Sequence, residues 1–166
     1  PKGNVLAHEV LNRGNADEAI AKAKYVVTRH YSTPQTDHAF MEPECAIADW
    51  RDGQMYLYTG SQSVYDEQHE VSRMLGLKPS DVHVHSNLVG GGFGGKEDMS
   101  VQHHAALMSW KTGLPVKVKF SRQESLDIHV KRHAMEMDIT TACDEEGNLV
   151  ASKVIIVSDC GAYASL

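Results

Sequence analysis

A dense cluster of glycines is the feature that most limits what this chain can fold into. Between Val89 and Glu97 the sequence reads Gly-Gly-Gly-Phe-Gly-Gly-Lys, which holds five of the chain's 13 glycines. Glycine permits positive φ angles and leaves backbone N–H groups uncovered, so such a segment can approach a bound group closely. A helix is predicted to follow, and its N-terminus would add a partial positive charge. The cluster therefore predicts a shaped binding loop, and a flexible turn is the plainer alternative.

The composition is that of an ordinary folded domain. The chain has 166 residues, 42% hydrophobic and 23% charged, with a formal net charge of −6. This acidic balance, with no basic run longer than Lys131-Arg132, argues against a nucleic-acid partner. No apolar run approaches the roughly 20 residues that span a bilayer, so no membrane partner is expected. Three cysteines match no zinc or disulfide framework, and a reducing cytoplasm is the expected location.

Both ends of the chain predict further sequence outside it. The start Pro1-Lys2-Gly3-Asn4 is neither an initiator methionine nor a signal peptide, and the last residues up to Leu166 are a strand pattern with an apolar continuation. We therefore expect residues 1–166 to form a single domain that is a fragment of a larger region.

Hydrophobic periodicity predicts strands in pairs with helices between them. The predicted helices cover residues 15–24, 63–75, 99–112 and a short stretch after the capping-box pattern at Ser121. Alternating or β-branched segments predict strands at residues 25–31, 45–48, 55–59, 81–85, 115–120, 134–142 and 149–157. These elements predict an α+β fold with helices layered on a mixed, largely antiparallel β-sheet.

Two nucleotide-binding motifs fit the glycine cluster only in part. Residues 90–96 match the Walker pattern, but Glu97 stands where a Ser or Thr would hold magnesium. The same glycines match the dinucleotide fingerprint, but no Asp or Glu occurs between Met99 and Arg122 to bind the ribose. A nucleotide-binding module using the loop from Gly90 to Lys96, or a non-catalytic interaction domain, remains an alternative.

The octapeptide from Gly90 to Glu97 resembles the signature of the molybdenum hydroxylases, the family of xanthine dehydrogenase and aldehyde oxidase. The resemblance extends over nearly the whole chain from Gly14 onward. It implies a fragment of the molybdopterin-binding subunit or domain of such an enzyme. The other segments that carry it are residues 40–44, 59–63, 74–77, 111–116 and 159–163.

The resemblance assigns roles to four residues. It implies a molybdenum–pterin cofactor that hydroxylates purines (xanthine-like) or aldehydes with water as the oxygen source, with no protein side chain on the metal. Gln62 matches a glutamine whose amide donates a hydrogen bond to an oxo ligand, and Phe93 and Gly94 match the loop whose main-chain N–H groups face the cofactor. Glu97 matches a purine-binding position. The plainer alternatives are a turn glutamine, a core phenylalanine and a carboxylate at a helix start.

The remaining implications concern parts outside the chain. The general-base glutamate is expected beyond Leu166, so no catalytic residue is predicted within the fragment. Bacterial members of the family often carry the cytosine dinucleotide form of the pterin, and 2Fe-2S clusters and FAD are expected on other domains or subunits. The partners would be the remainder of the molybdenum subunit, the iron–sulfur and flavin parts, and a small heterocyclic or aldehyde substrate. The isolated fragment is expected to be cofactor-free and inactive.

Several other reactive residues are interpreted as structural. The histidines occur outside any zinc motif, so metal ligation is not expected. Glu42 and Glu44 flank Pro43 and are expected on one face of a strand, with no acid or base partner evident.

Overall fold

The computed structural model describes residues 3–161, which divide into two compact units. The first contains residues 3–34 and 133–159, and the second contains residues 35–132 with residues 160–161. Both combine helix and strand, so the predicted α+β class is confirmed. The prediction of a single domain within a larger region stays a prediction.

All the predicted helices and strands are present, with shifted ends. The helices are α1 (Ala16–Lys22), α2 (Val64–Leu75), α3 (Gln102–Thr112) and α4 (Arg122–Ile128). The strands are β1 (Tyr25–Thr33), β2 (Cys45–Arg51), β3 (Gln54–Thr59), β4 (Val82–Ser86), β5 (Val116–Lys119), β6 (Ala134–Cys143) and β7 (Leu149–Asp159). Within residues 3–161, no helix has the length and apolar character needed to cross a bilayer.

The first unit is a three-stranded antiparallel sheet in the order β1-β6-β7. Asp144 holds the turn between β6 and β7, because its carboxylate accepts the N–H of Asn148 at 2.8 Å and that of Glu146 at 3.1 Å. Successive side chains of a strand point to opposite faces. Val154, Ile155, Ile156 and Val157 of β7 are nevertheless all 49–65% exposed, so apolar surface lies open on both faces.

The second unit is a four-stranded mixed sheet in the order β4-β3-β2-β5, in which only β3 and β4 are parallel. Alternate residues of β2 and β3 are fully buried, which is the period of a strand with one covered face. Helices α2 and α3 supply the other side of this core. The apolar side chains that form it include Ala46, Ala48, Met55, Leu57, Val71, Val82, Ala105 and Ala106.

Helix α3 starts later than the sequence predicts. The side chain of Gln102 turns back and its Oε1 accepts the N–H groups of Ser100 and Val101, at 2.9 and 3.0 Å. Residues 98–101 are consequently not helical. The predicted helix is present, but its predicted start at Met99 is wrong, because α3 begins at Gln102.

Helix α4 begins as the sequence predicts. The Ser121 side chain accepts the N–H of Glu124, and the Glu124 carboxylate accepts the N–H of Ser121, which completes a capping box. The guanidinium of Arg122 donates to the carbonyl oxygens of Phe40 and Met41 at 2.7 and 2.8 Å. These contacts fix α4 against the segment that leads into β2.

Candidate functional site

Three connecting segments of the second unit meet around the glycines. The glycine segment, residues 90–97, joins β4 to α3. Gln62 lies in the short connection between β3 and α2, and Glu42 lies in the segment before β2. Loops at the ends of packed elements are common positions for binding groups.

Gln62 is held to the glycine segment by two hydrogen bonds to one residue. Its main-chain N–H donates to the Lys96 carbonyl at 2.9 Å, and its side-chain Oε1 accepts the Lys96 N–H at 3.1 Å. Because an N–H can donate only to the amide oxygen, this contact fixes which end of the amide faces inward. The Nε2 group has no hydrogen-bond partner within residues 3–161, and the side chain is exposed. The structure therefore presents an amide donor at the surface.

Three positions of the segment leave no room for a Cβ, because other side chains occupy the adjacent space. A Cβ on Gly90 would lie 2.6 Å from the Cβ of Glu42. A Cβ on Gly92 would lie 2.2 Å from Oε1 of Gln62. A Cβ on Gly95 would lie 2.8 Å from the ring of His38 and 3.0 Å from that of His129. The glycines are thus part of a close-fitting arrangement, which argues against the alternative of a flexible turn.

Phe93 and Gly94 form the tip of this arrangement. Gly95 donates its N–H to the Gly92 carbonyl at 2.8 Å, and φ is positive at both central residues, 55° at Phe93 and 86° at Gly94. A positive φ costs a non-glycine residue on the order of 1 kcal/mol. The Phe93 ring is 74% exposed, so the alternative that it fills the core is wrong. The main-chain N–H groups of Phe93 and Gly94 have no hydrogen-bond partner among residues 3–161.

Lys96 points into the protein. Its ammonium is 4% exposed, lies 2.7 Å from Oε2 of Glu42 and sits 4.6 Å above the ring centre of Phe40. The same carboxylate oxygen accepts the N–H of Gly90 at 2.8 Å. With its ammonium engaged in this way, Lys96 is not placed to bind a phosphate, which counts against a nucleotide loop.

Burial raises the pKa of the Glu42 carboxyl, but hydrogen bonds from Lys96 and the Gly90 N–H outweigh it and lower that pKa overall. Sequence reasoning missed this pair, since the two residues are 54 positions apart. It also placed Glu42 and Glu44 on one strand face. This expectation is wrong, because β2 begins at Cys45 and both carboxylates precede it.

Glu97 is exposed at the end of the segment, and its N–H donates to the Gly94 carbonyl at 3.4 Å. Its carboxylate forms no ion pair within the part of the chain that the structure describes. Since α3 begins only at Gln102, the alternative of a carboxylate at a helix start is wrong. The structure therefore brings all four predicted residues, Gln62, Phe93, Gly94 and Glu97, to one exposed region around the glycines.

Comparison with known proteins decides the family. The family model described as "Molybdopterin cofactor-binding domain" matches residues 1–166. The chain belongs to this family. The match confirms the resemblance to molybdenum hydroxylases that the octapeptide carries.

Two curated relatives of this molybdopterin cofactor-binding domain cover almost all of it. A probable xanthine dehydrogenase subunit of Bacillus subtilis is 36% identical over 99% of the chain and 22% of its own length. The nicotinate dehydrogenase large molybdopterin subunit of Eubacterium barkeri is 38% identical over 98% of the chain and 39% of its own length. The domain therefore spans well under half the length of these relatives.

Solved structures show the same fold. The aldehyde oxidoreductase of Desulfovibrio gigas matches 87% of the chain and 16% of its own, with 25% identity and a TM-score of 0.81. The carbon monoxide dehydrogenase of Oligotropha carboxidovorans matches 85% of the chain and 18% of its own, with 25% identity and a TM-score of 0.76.

The exposed groups of this molybdopterin cofactor-binding domain fit a ligand rich in hydrogen-bond acceptors. The Gln62 amide and the N–H groups of Phe93 and Gly94 are neutral donors without partners in residues 3–161, which suits oxygen or anionic acceptors. No group of three or more His, Cys, Asp or Glu residues in that range lies together as a metal site would require. The neutral donors thus fit a cofactor that offers oxygen or anionic acceptors.

Proposed function

We propose that this domain forms one wall of the molybdenum–pterin site in an oxidoreductase that hydroxylates purines (xanthine-like) or aldehydes with water as the oxygen source. When bound, the cofactor supplies the two-electron oxidation and the oxygen transfer. The observation that carries the proposal is the Gln62 amide, which Lys96 fixes with its donor end outward. The names of the relatives, a xanthine dehydrogenase subunit and a nicotinate dehydrogenase subunit, support a heterocyclic substrate.

In this proposal the residues of the domain bind and orient, and they do not transfer protons. Gln62 donates its amide N–H to an acceptor of the cofactor, and Phe93 and Gly94 donate their main-chain N–H groups to it. Glu97 accepts a hydrogen bond from a purine. The general base is a glutamate outside the 166 residues.

Other parts of the enzyme complete the proposal. The cofactor is the cytosine dinucleotide form, electrons leave through 2Fe-2S clusters and FAD on other domains or subunits, and the assembly is cytoplasmic. The names of the relatives, each given as one subunit of an enzyme, support this division of labour.

Replacing Gln62 in the holoenzyme that contains this domain tests the proposal. Gln62→Ala should lower kcat by about 10-fold or more, the effect of losing one preorganised donor, and should change stability little because the side chain is exposed. Turnover, molybdenum content and thermal unfolding are measured together. Gln123→Ala, at an exposed glutamine of α4, is the matched control. Unchanged kcat in Gln62→Ala at full molybdenum content would contradict the proposed role.

The substrate preference has its own test. Glu97→Ala should raise KM for purines by about 10-fold, as expected when a charged hydrogen bond is lost, while KM for a simple aldehyde stays constant. Glu97→Gln keeps one acceptor oxygen, so its KM for purines should lie between those of the wild type and Glu97→Ala. Identical purine kinetics in all three enzymes would remove Glu97 from the substrate site.

A further inference from the structure

A buried histidine lies directly beneath the glycine segment. His129 follows α4, and both of its ring nitrogens face main-chain carbonyl oxygens. Nε2 lies 2.7 Å from the Gly95 oxygen and Nδ1 lies 2.6 Å from the Val130 oxygen. A carbonyl oxygen only accepts hydrogen bonds, whereas a neutral imidazole carries a single N–H. Both contacts are favourable only when each nitrogen carries a hydrogen, which makes the ring an imidazolium.

A buried carboxylate provides the matching negative charge. Oε1 of Glu44 lies 3.6 Å from Nε2 of His129, and the two side chains are 4% and 2% exposed. Neither carboxylate oxygen of Glu44 has a hydrogen-bond partner within residues 3–161. A buried charge without compensation is strongly unfavourable, so Glu44 and His129 each need the charge of the other.

The neighbours of the ring are compatible with a positive charge there. The His38 ring packs edge-on at 5.4 Å, and its Nδ1 is buried without a hydrogen-bond partner in the described part of the chain. Burial is the main cause that lowers the pKa of His38, and the charge of His129 lowers it further. The His38 ring is therefore neutral. The charged or titratable groups around the pair are Glu44 before β2, His38 and Asp37 in the segment before Phe40, Lys131 after α4, and Lys96 across the Phe40 ring.

The ring is also fixed from behind. The main-chain N–H of His129 donates to the Ser125 carbonyl at 3.1 Å, and Phe40 packs edge-on against the imidazole at 5.2 Å. The contact with Ser125 of α4 therefore fixes the position of the ring, and the ring in turn fixes the position of the Gly95 carbonyl. Because the Gly95 N–H is bound to the Gly92 carbonyl, both polar groups of Gly95 are held.

We propose that His129, as an imidazolium paired with Glu44, is a positioning residue that fixes the Gly95 carbonyl and with it the turn that presents the Phe93 and Gly94 N–H groups. Both side chains are buried, so the pair would act through the glycine segment and not by direct contact with a ligand. Its effect on turnover rests on the proposed function, whereas its effect on the shape of the glycine segment does not.

Hydrogen–deuterium exchange of the holoenzyme tests the positioning role without using activity. His129→Gln should raise the exchange rate of a peptide spanning residues 90–97 by about 10-fold, with α2 and β3 peptides unchanged within about twofold. His69→Gln, at an exposed histidine of α2, is the matched control and should leave the segment protected. Unchanged exchange of residues 90–97 in His129→Gln would overturn the proposal.

The charge pairing is tested by Glu44→Gln and by the double variant. If the two groups act as a pair, the double variant should exchange no faster than the more affected single variant, whereas multiplied effects would overturn the pairing. Glu44→Gln alone should also raise the exchange rate of residues 90–97, because it leaves the His129 ring without its opposite charge. Unchanged exchange in Glu44→Gln would equally overturn the pairing. Glu44→Gln decides the matter even where His129→Gln fails to assemble.

Turnover separates this inference from the proposed function. If Gln62→Ala loses activity and His129→Gln loosens the segment, both stand. If Gln62→Ala keeps full activity while His129→Gln still loosens residues 90–97, the proposed function fails and the positioning role stands. If Gln62→Ala loses activity and His129→Gln leaves the segment protected, the positioning role alone fails.

Discussion

Gln62 and Gly92 require one another, because the amide oxygen occupies the space that any larger residue at position 92 would need. Gly92→Ala should displace the amide and lower kcat by about 10- to 100-fold, since misplacement of a positioning group by about 1 Å has effects of that size. The matched background is Gln62→Ala, in which the clash is absent. There the added methyl group should cause little further loss, and a full second loss would show that Gly92 matters for another reason.

Lys96 is buried with its charge neutralised by Glu42, so removing the carboxylate leaves an ammonium without its partner. We expect Glu42→Gln to lower the free energy of unfolding by about 1–2 kcal/mol, a value reduced because Glu42 is partly exposed. Glu70→Gln, which breaks a largely exposed pair with Arg73, is the control and should change it by less than about 0.5 kcal/mol. Equal effects of the two substitutions in urea unfolding would contradict this account.

The same pair predicts a pH dependence. The pKa of Glu42 is lowered in the folded protein, so its contribution is fully present above the ordinary carboxyl range and is lost as pH falls through the lowered pKa. The difference in unfolding free energy between the wild type and Glu42→Gln should therefore be largest near neutral pH and shrink in acid. Urea titrations at a series of pH values measure it, and a difference that grows on acidification would be inconsistent with a lowered pKa.

At the scale of single elements, α4 sets the position of His129 and depends on its first turn. Ser121→Ala removes the acceptor for the Glu124 N–H and should cost about 1 kcal/mol. Ser63→Ala is the control, because the Ser63 side chain at the start of α2 accepts no backbone N–H and donates to Asp66 instead. Thermal unfolding compares them, and a larger loss in Ser63→Ala would refute the capping argument.

Local signals explain which elements the sequence could predict. The capping box of α4 and the turn at Asp144 involve residues a few positions apart, and the structure has both. The start of α3 could not be predicted, because it depends on Gln102, whose amide nitrogen is bound at 2.6 Å by the buried Glu67 of α2. Glu42 and Glu44 precede β2 and contact Lys96 and His129, which lie far away in the chain.

For the site, Gln62, Phe93, Gly94 and Glu97 were singled out by a resemblance of sequence patterns. The structure brings them to one exposed region, and their roles stay predictions. The buried residues beneath them carried no such signal. Each lies tens of residues from its partner, and burial of a single Lys or His cannot be read from its immediate neighbours.

At the scale of the whole molecule, the three-stranded sheet exposes apolar side chains on both faces of β7. Contiguous exposed apolar surface promotes association, so the 166-residue chain alone should self-associate in a concentration-dependent way. Ile156→Lys should reduce this, and Leu126→Lys, on α4 in the other unit, should not. Analytical ultracentrifugation compares the three proteins, and a wild-type chain that stays monomeric at high concentration would contradict the expectation.

In the proposed function, the isolated chain supplies binding groups but no general base. We expect it to bind no stoichiometric molybdenum and to show no dye-linked oxidation of xanthine, as measured by metal analysis and a turnover assay. Stoichiometric metal with turnover would show that the remaining sequence of the longer relatives is dispensable.

The hydrogen bond from Lys96 to Gln62 has one further consequence, which concerns ageing of the protein. Hydrolysis of the Gln62 amide to a carboxylate would leave the inward oxygen and its hydrogen bond to the Lys96 N–H in place, so the fold would not change. The outward group, however, would turn from a hydrogen-bond donor into a negatively charged acceptor. Deamidation of Gln62 would thus replace a hydrogen-bond donor by an acceptor on the surface that faces a ligand. The other contacts of the glycine segment would persist.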